Sequence, residues 1–428
     1  MKTDVFSKRR IELGQRYSRT LFVIGSGSEA KRSHSVAYRF KVSSDFYYLT
    51  GLEISDALLI VAGKDQYLLT KSNSAEAAVW DDEGFISDKD RAEKLFGIRF
   101  ENVNRLEDIL RAHASQVDRI AFALGRDSKL DSQIVSLASY EKRLKGRNTP
   151  VSPVALCDSR LLTGTLRLKK DEGEIALMRE AGMRTSYVHT ELMKQSVIGR
   201  SERDIAHWIE SQFMSQGMLW VAYQTIVGSA ERSTLLHARA TDRIIQDNEF
   251  VLVDAGGEYA GYCGDITRVF ISGKKFSKAQ RDLYNIVLEA QKEIIQAIKP
   301  GTDLQELHLL SLSAMSAGLL RQGYDKSRIQ DDILKLMPHS TSHWIGLDVH
   351  DPSAYCDDSG NALKLEAGMC FTVEPGLYFR SGLEGIAAFK GLGVRIEDDI
   401  VVTQDGYQYL TSVPKEVDEI EALRAHAF

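Results

Sequence analysis

Residues 251–270 read VLVDAGGEYAGYCGDITRVF: an apolar run ends on an acid, turns through glycines and returns as a second apolar run carrying another acid. The pattern comes back near the C-terminus, where 369–379 read MCFTVEPGLYF and 393–402 read GVRIEDDIVV. Two such hairpins, taken as a duplicated half-domain, would bring four carboxylates, Asp254, Asp265, Glu374 and Glu397, to one cleft. Strand alternation decides which side chains share it. It predicts Asp265 and Thr267 on one face with Ile266 and Arg268 on the other, and Glu397 on a face with Arg395 and Asp399. A carboxylate ending FVLVD or following FTV is costly to bury alone, so each needs a cation or hydrogen-bond donors.

Around these hairpins lie segments of helical spacing. Asp171–Gln195 has Ile175, Met178, Ala181, Met183, Val188 and Leu192 at roughly helical spacing behind an acidic start. Further helices are predicted over Glu202–Gln216, Lys278–Ala297 and Asp303–Arg321. Helices segregated from antiparallel strand pairs (Glu249–Asp254 with Gly264–Ile271, Met369–Tyr378 with Val394–Val402) predict an α+β domain over 166–428. The first 165 residues differ. Strand-like runs at Leu21–Ile24, Ala57–Ala62 and Ile120–Leu124 alternate with helical ones at Ala75–Val79, Lys89–Phe96 and Leu106–Ser115, which predicts an α/β domain over 1–165. Gly146–Pro153, GRNTPVSP, is the expected linker.

Composition narrows the function. A chain of 428 residues is long for one domain and fits about two or three. Its formal net charge of −6, without a Lys/Arg tract, gives no footprint for nucleic acid or an anionic membrane. The N-terminus lacks the apolar core of a signal peptide, and no stretch approaches the roughly 20 apolar residues of a spanning helix. Four scattered cysteines (Cys157, Cys263, Cys356, Cys370) read as free thiols of a reducing cytosol, so a cytoplasmic location is expected. The turn Gly25-Ser26-Gly27, after LFVI, mimics a dinucleotide-binding loop but runs into KRSHSVAYRF instead of an apolar helix, and reads as a loop.

The histidines complete the site. MPHSTSHWIGLDVHD (337–351) holds His339, His343 and His350, and TLLHARA holds His237. Four carboxylates and an imidazole suit two divalent ions about 3.5–4 Å apart, with a bridging water acidified for attack on a peptide carbonyl. An oxygen-rich set with one histidine favours Mn²⁺, Co²⁺ or Mg²⁺ over thiolate-bound structural zinc. His34, His113, His189, His207, His308 and His426 lack such surroundings and are expected to be structural or solvated.

The ordered set Asp254, Asp265, His343, Glu374, Glu397 resembles the ligand signature of the pita-bread metallopeptidases. SHWIGLDVHD, TVEPGLY and GVRIEDDIVV are similar to the forms found in aminopeptidase P (Xaa-Pro aminopeptidase) and its relative prolidase. Tyr38-Arg39 and SSDFYYLTG (43–51) resemble that family's leading domain, so the likeness spans nearly the whole chain. It implies a pita-bread catalytic domain behind an aminopeptidase P N-terminal-like domain. Asp254 would bind one metal and His343 and Glu374 the other, with Asp265 and Glu397 bridging; Mn²⁺ is expected, with Co²⁺ or Zn²⁺ as alternatives. Glu374 would act as general base. His237 and His350 would contact substrate near the scissile bond, His339 would flank the following residue, Tyr223 would line the pocket for the free amino end, and Arg395 would stand behind the cleft. A dimer or tetramer is implied, and Trp80 falls where relatives can approach a neighbouring subunit's cleft.

The resemblance implies removal of the first residue from peptides with proline in second place. Proline lacks an amide N–H and fixes φ, so this bond needs a dedicated pocket. The alternatives are prolidase, which cleaves only Xaa-Pro dipeptides, and metal-free members of the fold, which bind peptides or histones or hydrolyse a small molecule as creatinase does. Methionine aminopeptidase needs no such N-terminal domain. The metal-free readings predict missing ligands, and all five are present. Two departures, Cys263 in place of a small residue and Ser340-Thr341 where glycine commonly follows the histidine, bear on substrate preference.

Overall fold

A computed structural model describes residues 3–71, 93–94, 96–144, 155–383 and 385–428. The segments predicted at 75–79 and 146–153, Trp80 and most of 89–96 lie outside the described residues. The chain divides into two compact units, Met1–Leu166 and Arg167–Phe428.

The first unit is built on a six-stranded sheet in the order Arg99–Asn102, Asp65–Thr70, Leu58–Ala62, Thr20–Gly25, Arg119–Phe122, Ala155–Asp158. Its two central neighbours, Thr20–Gly25 and Leu58–Ala62, run antiparallel, whereas Thr20–Gly25 runs parallel to Arg119–Phe122. Leu21, Val23, Ile60, Ile120 and Phe122 are fully buried and pack with Leu110 and Ile134 of the helices Leu106–Ala114 and Ser128–Leu144. No helix opens at Gly25–Gly27; the next begins at Ser44, capped by Ser43.

The second unit carries the long helices. Glu172–Met193 starts where a capping box satisfies its first amides, Asp171 accepting from the Glu174 amide and Glu174 from the Asp171 amide. Glu202–Ser215, Lys278–Gln296 and Leu304–Arg321 begin the same way, on Ser201, Ser277 and Asp303. These helices pack on short antiparallel sheets. In one sheet Phe250–Asp254 lies between Ile226–Ser229 and Thr267–Ile271, with Asp254 opposite Thr267; in another Cys370–Val373 pairs with Asp398–Val402.

The predicted strands are broken at the residues that matter. Met369–Tyr378 is two strands, Cys370–Val373 and Gly376–Tyr378, in different sheets, and the break falls at Glu374-Pro375, where proline cannot donate to a ladder. Val394–Val402 likewise splits into Gly393–Arg395 and Asp398–Val402, leaving Glu397 between them. Asp265 precedes the strand Thr267–Ile271 instead of lying within it. Asp265, Glu374 and Glu397 therefore stand outside the strands, where simple alternation does not place them, and Asp254 is the last residue of its own. The hairpin glycines are needed for close approach: a Cβ at Gly256 would fall 1.8 Å from the Gly264 carbonyl oxygen, so the segments after Asp254 and before Asp265 close only on glycine. Among the described residues no helix is long and apolar enough to cross a membrane.

Candidate active site

Five elements deliver the predicted residues to one cavity of about 940 Å³, lined by Tyr223, His237, Asp254, Asp265, His339, His343, His350, Glu374, Arg395 and Glu397. The two carboxylate hairpins meet through backbone: the Glu397 amide donates to the Thr267 carbonyl at 3.1 Å, and the Thr267 hydroxyl donates to Glu397 Oε2 at 2.6 Å. The histidine segment is laced to the second hairpin. The Thr372 amide donates to the His343 carbonyl at 3.0 Å, and the Glu374 amide to the Thr341 carbonyl at 2.8 Å.

His343 Nε2 then lies 3.4 Å from Asp265 Oδ2, 3.7 Å from Glu374 Oε1 and 4.0 Å from Glu397 Oε1. One donor atom each from Asp265, His343 and Glu397 fall within 4.8 Å of one another. Asp254 and Asp265 converge on the Tyr223 hydroxyl, whose oxygen is 2.5 Å from an oxygen of each. That hydroxyl has one proton and can serve only one of them. Arg395 donates to Asp254 Oδ2 at 2.5 Å, to the Tyr378 hydroxyl at 2.9 Å and to Thr267 Oγ1 at 3.0 Å.

The electrostatics record a deficit of positive charge. Burial pushes the Glu397 carboxyl well above its ordinary range, and the nearby Asp265 and Glu374 add to it. Burial also raises Asp254, against the pull of Arg395, and lifts Glu374 to about 7 against His343 and Arg395. His343 moves the other way: burial lowers it, but the Asp265 hydrogen bond and the Glu374 charge carry it up to about 9. Clustered, buried, oxygen-rich donors that repel one another fit a divalent cation, which would relieve both the repulsion and the desolvation.

Burial lowers two further histidines of the site. Burial, followed by the charge of Arg395, lowers His339 to about 4; its Nε2 meets the Tyr378 hydroxyl at 2.9 Å and its Nδ1 stands 3.7 Å from Glu374 Oε2. His350 packs edge-on to His343 with ring centroids 4.4 Å apart, and burial lowers it too.

Sequence reasoning passed over several residues of this site. Asp399 accepts the Asp265 amide at 2.9 Å, its other carboxylate oxygen is buried without a partner, and burial raises its pKa strongly. Tyr378 joins His339 to Arg395, and Thr267 joins Arg395 to Glu397. His308, expected to be structural or solvated, lines the cavity. Cys263 is buried against the Leu347 carbonyl and does not line the cavity.

Comparisons with known proteins agree with this construction. Residues 176–404 match the metallopeptidase family M24, and residues 6–121 match the aminopeptidase P N-terminal domain. The Xaa-Pro aminopeptidase of Escherichia coli (strain K12) is 35% identical over 95% of this chain and 93% of its own length. Among solved structures, proline aminopeptidase P II from Yersinia pestis superposes with a TM-score of 0.89 at 33% identity, covering 99% of this chain and 100% of that one. Zinc-substituted E. coli aminopeptidase P in complex with product gives 0.90 at 33% identity, covering 100% and 99%. The leading domain, the broken strands that aim the carboxylates and the whole-length likeness agree: the chain belongs to metallopeptidase family M24, among its aminopeptidase P members.

Proposed function

We propose that this protein is a Xaa-Pro aminopeptidase that removes the first residue from peptides with proline in second place. The observation that carries the reading is the convergence of Asp265, His343 and Glu397 within 4.8 Å beside the cavity, with Asp254 and Glu374 adjoining. Asp254 would hold one divalent ion, His343 and Glu374 a second, and Asp265 and Glu397 both. The donor set favours Mn²⁺, with Co²⁺ or Zn²⁺ able to replace it. Such ions supply positive charge at the scissile carbonyl and lower the pKa of a water.

The chain's own residues divide the remaining tasks. Glu374 accepts a proton as the carbonyl is attacked and returns it to the proline nitrogen, which has no hydrogen and must gain one before the C–N bond breaks. Arg395 and Tyr223 fix Asp254 from two sides, so its orientation survives substrate entry. His237 and His350 line the cavity as substrate contacts, and His339, held by Tyr378, flanks the residue that follows the scissile bond. Tyr223 borders the pocket for the free amino end. A homodimer or homotetramer in the cytoplasm completes the proposal.

The test compares chelated and Mn²⁺-reconstituted protein on an Xaa-Pro dipeptide and an Xaa-Pro-Yaa tripeptide, following release of the first residue. Metal-dependent cleavage of the tripeptide is expected. Cleavage confined to the dipeptide would make it a prolidase, and cleavage of neither with Mn²⁺, Co²⁺ or Zn²⁺ would make it a binding protein.

A further inference from the structure

The cavity is also lined by Leu304 and His308 from the first turns of helix Leu304–Arg321, by Thr341, and by Tyr355 and Leu363. Its only acidic lining residues among the described ones are the four carboxylates themselves. His308 is half-buried here, and its Nδ1 lies 2.9 Å from Thr341 Oγ1. Thr341 is fully buried, and its hydroxyl has no other hydrogen-bond partner among the described residues. Were Nδ1 the donor, the hydroxyl hydrogen would be buried with no acceptor, a loss larger than the bond itself contributes. The hydroxyl therefore donates to Nδ1, which leaves the ring neutral with its hydrogen on Nε2. Burial, which lowers the pKa of this imidazole, works in the same direction. Nε2–H has no protein partner among the described residues. The pair is also anchored to the reaction centre, because the Thr341 carbonyl accepts the Glu374 amide.

We propose that His308 is a specificity-determining residue for the position after proline. Its Nε2–H donates to the carbonyl or carboxylate oxygen of the substrate's third residue, whose side chain rests against Leu304, Tyr355 and Leu363. The proposal rests on the Xaa-Pro aminopeptidase reading and deepens it: it assigns a preference for peptides of three or more residues over Xaa-Pro dipeptides to a named pair, His308 and Thr341.

The experiment measures KM and kcat of the Mn²⁺-loaded full chain for Ala-Pro-Leu, its C-terminal amide and Ala-Pro. Loss of one such hydrogen bond in His308→Ala should raise KM for both tripeptides about tenfold, with kcat and the dipeptide KM within about twofold. His308→Gln, which keeps an N–H donor on a side chain of similar reach, should recover most of the loss. An unchanged tripeptide KM, or an equal rise for dipeptide and tripeptide, overturns the assignment. Calorimetric binding of Pro-Leu, the half that leaves after cleavage, reads the same contact without turnover. It should weaken about tenfold in His308→Ala, and unchanged binding also overturns the assignment. Should the wild-type protein cleave neither peptide, the proposed function falls, and Pro-Leu binding still decides the role of His308.

Discussion

Arg395 and Asp254 form an ion pair at 2.5 Å with both side chains almost wholly buried, at 4% and 10% exposure. The guanidinium also holds Tyr378 and Thr267, so one residue ties the first carboxylate hairpin to the second. A buried pair adds little when compared with an apolar replacement, but removing one partner strands the other.

Arg395→Met should therefore destabilise the chelated protein by about 3–5 kcal/mol, the cost of leaving a buried carboxylate unpaired. Metal would recover part of that loss by taking over the compensation of Asp254. Urea unfolding with and without chelator measures both; a loss below about 1 kcal/mol would show that Arg395 does not compensate Asp254.

Glu374→Gln keeps the shape of the side chain and removes its proton affinity. If Glu374 is the base, kcat for an Xaa-Pro-Yaa peptide should fall roughly a hundred- to ten-thousand-fold, with circular dichroism unchanged. Activity within about tenfold of wild type would assign the base elsewhere.

Stability of the chelated protein should fall as pH rises. Glu374, raised to about 7, Glu397, raised well above the usual carboxylate range, and Asp254, raised from its ordinary value, keep protons in the native state that the unfolded chain has already released. His343 adds to the trend: its stabilisation is complete below its unfolded pKa of 6.5 and is lost as pH rises through about 9. The chelated protein should melt at a lower temperature at pH 8.5 than at pH 6, and metal should reduce the difference, because the ligands bind it deprotonated. A chelated protein whose melting temperature rises over that interval would contradict the shifts.

The carboxylates were legible in the sequence because acids at the ends of FVLVD and FTV conflict with their apolar surroundings, and that conflict survives without coordinates. The helix starts were legible within a residue or so from apolar spacing and, at Asp171, an acidic first turn; the capping pairs Asp171 with Glu174 and Ser277 with Gln280 emerge in the structure. What was hidden depends on distance in sequence. Thr267, Tyr378 and Asp399 are ordinary strand residues until the sheets meet, and His308 reaches the cavity only because its helix start packs beside Thr341. Glu202 is similar. At the first turn of its helix it would pass for a solvated acid, yet it is fully buried and accepts from Ser229, Arg232 and Thr241, clamping the segment that bears His237. The strand breaks at Glu374-Pro375 and around Glu397 escaped for a related reason: the apolar pattern continues across them, and the same two segments face each other in one register on both sides, Val373 opposite Asp398 and Gly376 opposite Arg395.

The most direct measurement is a calorimetric titration of the chelated protein with Mn²⁺, in wild type and in Glu397→Ala. Two bound ions per chain with release of protons are expected in the wild type, and loss of the two-ion stoichiometry in the variant, because Glu397 is assigned to both ions. A single site in the wild type, or two sites undisturbed by Glu397→Ala, would contradict the dinuclear centre.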